Sequence, residues 1–219
     1  MREFEIIGTG SSGNCIIIND SIMLDCGVPF TKIKNKLSKI KIIFISHIHN
    51  DHFKKSTIKR IAFDKPNIKF LVGQYLVKDL LECGVDKKNI LVLDLEKWYD
   101  IGMFKVKFDY LTHDVPNNCI HIEFENGYKL LYATDTSNMD NVVAENYHWY
   151  FVEANYETDE EIREKIKEAR EKGEFCYLER VQHTHLSQVK ALNWLNKNKG
   201  VDSQFLFIHQ HQDKEEMNG

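Results

Sequence analysis

Three histidines and one aspartate stand within six residues, His47-Ile48-His49-Asn50-Asp51-His52, directly after the apolar run IIFIS (residues 42–46). At this chain's own His and Asp frequencies such a His-x-His-x-Asp-His pattern arises by chance about once in a thousand chains. Imidazole nitrogens and carboxylate oxygens are the ligands that first-row divalent metals prefer. A loop leaving a strand lets alternate side chains converge, so His47 and His49 can serve one cation and Asp51 and His52 a second. Packing four such groups together without a cation would be costly to desolvate. The plain alternative is a solvated polar loop, which gives no reason for the spacing.

One loop cannot complete two coordination shells. Further donors stand at the ends of other apolar runs: His113 after KVKFDYL, Asp135 after YKLLYAT and His209 after QFLFI. Each alone reads as an ordinary loop residue. Together with the 47–52 loop they make two ligand sets.

The elements that must position these donors can be read from periodicity. The chain opens as strand, turn, strand, turn, strand, with apolar runs at 4–7, 15–18 and 22–24 and turn residues in GTGSSGN and Asn19-Asp20. Helical spacing marks 30–39, 53–62, 74–83, 157–172 and 186–198, the last with Leu186, Val189, Leu192 and Leu195 on one face. IIFIS, KFLV, ILVL, MFKVKFDYL, CIHIEF, YKLLYAT and QFLFIH are the remaining strand candidates. Antiparallel strands first, helices interspersed and a final strand point to an α+β chain of two sheets covered outside by helices.

Composition bounds the function classes. The 219 residues are 42% hydrophobic and 28% charged, with 13 Phe, 9 Tyr and 3 Trp, enough for a sizeable core and one domain. No apolar run approaches the roughly 20 residues needed to span a bilayer, so no membrane partner is expected. The N-terminal MREFEIIGTG has no apolar h-region. Five scattered cysteines without a CxxC pair then read as reduced thiols of a cytoplasmic protein, used as small buried hydrophobes. The net charge of −4 excludes a uniformly basic nucleic-acid binder, but residues 1–80 hold 13 Lys/Arg against 7 Asp/Glu and the rest 16 against 26. The basic half could draw a polyanion locally, although on charge alone a set of solvated helix faces is the favoured reading.

HxHxDH followed by single His, Asp and His residues at later strand ends resembles the metallo-β-lactamase superfamily, over nearly the whole chain. GTGSSGNC, LDCG (24–27), SHIHNDH, THDVPNN (112–118), YATDTSN and EANYE (153–157) are similar to its small YycJ-like (WalJ-like) branch of metal-dependent phosphodiesterases and DNA exonucleases. The resemblance implies a single domain over 1–219 with a four-layer αββα sandwich and the site at one edge of the paired sheets. It implies two divalent metal ions, zinc or manganese, with iron also compatible. His47, His49 and His113 would hold one, Asp51, His52 and His209 the other, and Asp135 would bridge them. Asp25 would orient a ligand imidazole, and Asn14 would lie near the site. His183-Thr184-His185-Leu186-Ser187 is similar to the HLS segment of the branch. His185, placed at a helix N-terminus, would contact the scissile phosphate or protonate the leaving oxygen; otherwise Thr184 or Ser187 merely caps that helix and His185 is exposed.

The chain departs from the family where His-Leu-Ser with a following Asn is usual and His209-Gln210-His211-Gln212 stands instead, which leaves His211 as a substitute ligand. The resemblance leads to a phosphodiester hydrolase acting on DNA ends or short nucleic acids. In it a hydroxide between the cations attacks phosphorus, Asp51 accepts a proton and His185 supplies one. The same ligand set also serves lactones, thioesters and other small esters, and a metal-stabilised binding protein without turnover would keep it too.

Overall fold

A computed structural model describes residues 3–210 except Phe175. The chain divides into two compact units, Met1–Tyr99 and Asp100–Gly219.

The first unit carries a six-stranded sheet in chain order: β1 (Phe4–Gly8), β2 (Cys15–Ile18), β3 (Ile22–Leu24), β4 (Ile42–Phe44), β5 (Lys69–Val72) and β6 (Ile90–Val92). The first three strands pair antiparallel and the last three join in parallel. Parallel pairing needs crossovers; these carry α1 (Phe30–Ile33), α2 (Lys55–Asp64) and, after a 3₁₀ turn at Gln74–Leu76, α3 (Val77–Glu82). Alternate strand residues Cys15, Ile17, Met23, Ile43, Phe70 and Val72 pack with Ile33, Ile58, Ile61 and Leu80 of the helices. Their neighbours Ile16, Ile18, Leu24, Phe44 and Leu71 are buried as well. Burial on both faces explains why these strands read as unbroken apolar runs.

The second unit repeats the plan. Its sheet runs β12 (Gln204–Ile208), β11 (Trp149–Glu153), β10 (Lys129–Ala133), β9 (Asn117–Phe124), β8 (Phe104–Leu111), with the two-residue β7 (Tyr99–Asp100) at the edge. β8, β9 and β10 form an antiparallel meander, and β10, β11 and β12 are parallel. β9 opposes both of its neighbours, so β8, β10, β11 and β12 all end at the same edge of this sheet. Leu111, Cys119, Leu131, Tyr150 and Val152 on one face pack with Ala191, Trp194 and Leu195. α4 (Asp159–Glu171) starts on a Thr158 hydroxyl that accepts from Glu161 N–H at 3.1 Å, with three acids in its first turn. α5 (Leu178–Thr184) and α6 (Gln188–Asn198) follow, and Ser187 caps α6.

Several elements differ from the sequence expectation, and β11 (Trp149–Glu153) is not among the strand candidates at all. The 30–39 segment is α-helical only over Phe30–Ile33; single turns, with Lys36 N–H donating to Ile33 C=O at 2.9 Å, then carry Leu37 inward. The 74–83 helix opens with the 3₁₀ turn. Helix α5 carried no signal long enough to read, and because Ser187 takes the cap, α6 starts at Gln188. His185 therefore sits in extended backbone between two helices (φ −130°, ψ 159°), not on a helix N-terminus.

The loop after β4 is seated on the extension of β3. Cys26 N–H donates to His52 C=O at 2.9 Å, and Asn14 N–H to Asp51 C=O at 2.7 Å. A Cβ on Gly27 would overlap the Asp51 carbonyl group. Gly27→Ala is therefore expected to cost roughly 1–3 kcal/mol by overpacking, lowering the melting temperature by several degrees and displacing the 51–52 backbone. Thermal unfolding checks this; an unchanged melting temperature contradicts it.

Candidate metal centre

In the first unit the donors are gathered by Asp25, the residue just past β3. Asp25 has a positive φ of 59°, a region open to Asp and Asn more than to other side chains. Its fully buried carboxylate accepts from Ser46 N–H (2.7 Å), Ser46 Oγ (2.9 Å) and His52 Nδ1 (2.6 Å). The Ser46 hydroxyl, donating to Asp25, can only accept from His47 Nδ1, which lies 3.0 Å away. Two imidazoles thus have Nδ1 engaged as a donor, and an imidazole that donates through Nδ1 carries its lone pair on Nε2. The rings of His47, His49 and His52 cluster, with centroids 4.9 Å (47–49) and 4.2 Å (47–52) apart. His52 Nε2 lies 3.5 Å from Asp51 Oδ2. Asn14, pinned by Gly10 N–H on its Oδ1 at 2.8 Å, places its amide 2.8 Å from His52 Nε2.

The second unit uses the same device. His113, just past β8, has Nδ1 3.0 Å from Thr184 C=O and Nε2 3.8 Å from Asp135 Oδ2. Burial pulls its imidazole below the usual histidine range, against the opposing pull of the Asp135 and Asp114 carboxylates. Asp135, beyond β10, and His209, beyond β12, both adopt positive φ (54° and 51°), and His209 Nδ1 lies 2.5 Å from Asp135 Oδ1. Asn117 at the start of β9 donates to the carbonyls of Thr134 and Asp135 at 2.8 and 2.7 Å, holding that bend. Non-glycine residues kept in this region at three strand ends mark backbone that its surroundings must over-determine.

Glu153 is the residue that sequence reasoning passed over. It ends β11, is fully buried, and accepts from Thr136 N–H (2.8 Å), Leu186 N–H (3.3 Å) and His185 Nδ1 (2.5 Å). Asp135, Glu153 and His185 offer ligand atoms within 4.8 Å of one another. EANYE was singled out as a segment, yet a Glu at the end of an apolar run carries no local signal of its partner 32 residues away. The His185 side chain is 16% exposed, so it is neither a solvated cap residue nor wholly buried.

The sequence-derived residues therefore fall into two groups. His47, His49, Asp51 and His52 converge in the first unit with Asp25 and Asn14; His113, Asp135, His185 and His209 converge in the second. His211 lies outside the described residues. His148 stacks on Tyr128 at 4.4 Å. His121 is fully buried.

A family model described as "Beta-lactamase superfamily domain" matches residues 21–210. Over 106 residues the chain is 30% identical to the cytidine monophosphate-N-acetylneuraminic acid hydroxylase of Sus scrofa, which covers 46% of this chain and 24% of that protein. The chain spans about a quarter or less of the length of the curated relatives it matches. Among solved structures, the metallo-beta-lactamase fold protein YhfI from Bacillus subtilis is similar with a TM-score of 0.74 at 16% identity, over 97% of this chain and 88% of that one. The short form of human tRNase Z is similar with a TM-score of 0.69 at 18% identity, over 97% and 93%. At these identities the likeness is one of fold: two mixed six-stranded sheets with flanking helices.

Asp25→Asn keeps the shape of the carboxylate but cannot fix the same His52 tautomer. Loss of such an orienting partner costs 10–100-fold in metal affinity as an order of magnitude. Metal titration of the variant, with circular dichroism to show an intact fold, is expected to find a decrease of about that size; wild-type affinity contradicts the assignment.

Proposed function

The chain belongs to the β-lactamase superfamily domain family, and from that premise we propose that it is a metal-dependent hydrolase of phosphodiesters, acting on DNA or other short nucleic acids. His47, His49 and His113 would hold one divalent cation, Asp51, His52 and His209 a second, and Asp135 both. The donor set fits: it is imidazole and carboxylate throughout, the chemistry of zinc, manganese or iron, and the buried histidines have Nδ1 already engaged. When bound, the cations would lower the pKa of a water and neutralise charge gathering on the phosphoryl oxygens.

The chain's own residues supply the proton transfers. The Asp51 side chain keeps 21% exposure, so its carboxylate can take a proton from an entering water. The Glu153–His185 pair is the single observation that carries the reading. Glu153 stabilises the imidazolium and aims the ring, so His185 can hand a proton from Nε2 to a departing alkoxide. An alkoxide is a poor leaving group, and phosphodiester cleavage has direct use for this acid.

Substrate class draws on three supports. The fold is shared with the short form of human tRNase Z. Residues 1–80 carry the excess of Lys and Arg. The segments similar to the YycJ-like branch deliver Asn14 (GTGSSGNC), Asp25 (LDCG) and Glu153 (EANYE) to the positions described. A single catalytic domain over 1–219 and a cytoplasmic address for the free cysteines belong to the same proposal. No helix among the described residues is long and apolar enough to cross a membrane.

Hydrolysis of bis(p-nitrophenyl) phosphate with added Mn²⁺ or Zn²⁺ is expected for the wild type and should fall to background in His49→Ala and Asp135→Ala. Full retention in either variant refutes the site. An end-labelled DNA duplex assayed beside a lactone panel with the same protein decides the substrate: cleavage of DNA is expected, and turnover of lactones alone would overturn the nucleic-acid assignment.

A further inference from the structure

A second cluster of metal-ligand side chains lies mid-strand on the sheet of the second unit. Asp109 of β8 and Cys119 of β9 are direct cross-strand partners, as are Lys107 and His121. Residues two apart share a face of a strand, so Asp109, Cys119 and His121 meet on the face that also carries Leu111. Asp109 is 4% exposed, and Cys119 and His121 are fully buried. His121 Nε2 lies 2.9 Å from Asp109 Oδ2 and 3.4 Å from Cys119 Sγ.

We propose that Asp109, Cys119 and His121 form a further site for a divalent cation of the zinc class, independent of the function argued above. A tetrahedral zinc at its usual bond lengths sets N···O at about 3.3 Å and N···S at about 3.6 Å. The observed 2.9 and 3.4 Å are a few tenths of an ångström short of that, so the cluster needs only a small expansion to accept an ion. The second Asp109 oxygen, Oδ1, is buried and accepts no hydrogen bond among the described residues. A buried acceptor left in that condition is expensive, and an ion held beside the Asp109 carboxylate would answer it.

Lys107 offers the competing account. Its ammonium lies 2.6 Å from Asp109 Oδ2, and together with His121 it outweighs burial and holds the Asp109 carboxyl below the usual carboxylate range. That pairing satisfies Oδ2 alone and gives no role to Oδ1 or the thiol. The Lys107 side chain keeps 17% exposure and can turn outward when an ion enters. The charges then balance: the Cys119 thiol releases its proton to solvent, and thiolate plus carboxylate neutralise the dication. His121 Nδ1 lies 3.1 Å from the Tyr147 hydroxyl, which can accept from it and so leave the lone pair on Nε2, toward the cluster.

Cobalt(II) substitution separates this site from the first, because the proposed catalytic donors include no thiolate. Protein stripped of metal and titrated with Co²⁺ is expected to bind a third equivalent accompanied by a near-ultraviolet thiolate-to-cobalt charge-transfer band. The band should vanish in Cys119→Ser, weaken in Asp109→Asn, and persist in His49→Ala. Uptake of only two equivalents without the band by the wild type overturns the proposal, and needs no variant to fold. A band that survives in Cys119→Ser, or that disappears in His49→Ala, overturns it equally.

Discussion

A carboxylate buried at the end of a strand must be met by donors, and in this protein the donor is repeatedly an imidazole Nδ1. Asp25 holds His52, Asp135 holds His209 and Glu153 holds His185, at 2.6, 2.5 and 2.5 Å. The Ser46 hydroxyl and the Thr184 carbonyl do the same for His47 and His113. Each bond chooses a tautomer and aims a ring, so the Nε2 lone pairs are set by the fold itself. Breaking such a buried pair by removing one partner typically costs about 3–5 kcal/mol, which couples the folding of each unit to the integrity of its donors.

The two sheets supply these pairs in parallel ways. In each unit antiparallel strands lead into parallel ones, and the polar residues stand beyond the carboxyl ends of the strands, where open sheets with parallel strands place their ligands. Apolar side chains dominate the strands of the first unit, so its polar groups are gathered at the strand ends. Asp25, Asp135 and His209 turn the backbone there through a left-handed residue, which swings the side chain out of the strand's alternation. Gly27, by lacking a side chain, lets the 47–52 loop lie against the extension of β3.

Much of this was legible in the sequence, for identifiable reasons. His47 to His52 are contiguous, so a local pattern sufficed to find them. His113, Asp135 and His209 each follow an apolar run strong enough to be read as a strand. The unread parts are those set by contacts distant in sequence. Glu153 closes an apolar strand, and nothing nearby points to His185. Helix α5 is seven residues long, too short for periodicity, and its omission put His185 on the wrong kind of backbone. Cys119 reads as a small buried hydrophobe in the sequence, since only the pairing of β8 with β9 brings Asp109 beside it and His121.

The proposed function requires histidines and carboxylates from both halves of the sequence to serve two neighbouring cations. Electron paramagnetic resonance of protein loaded with two equivalents of Mn²⁺ tests it most directly, because manganese favours the oxygen- and nitrogen-rich centre over a thiolate site. The spectrum of a spin-coupled manganese pair is expected, and it should be lost in Asp135→Ala. A spectrum of isolated Mn²⁺ ions alone in the wild type at two bound equivalents would overturn the paired site.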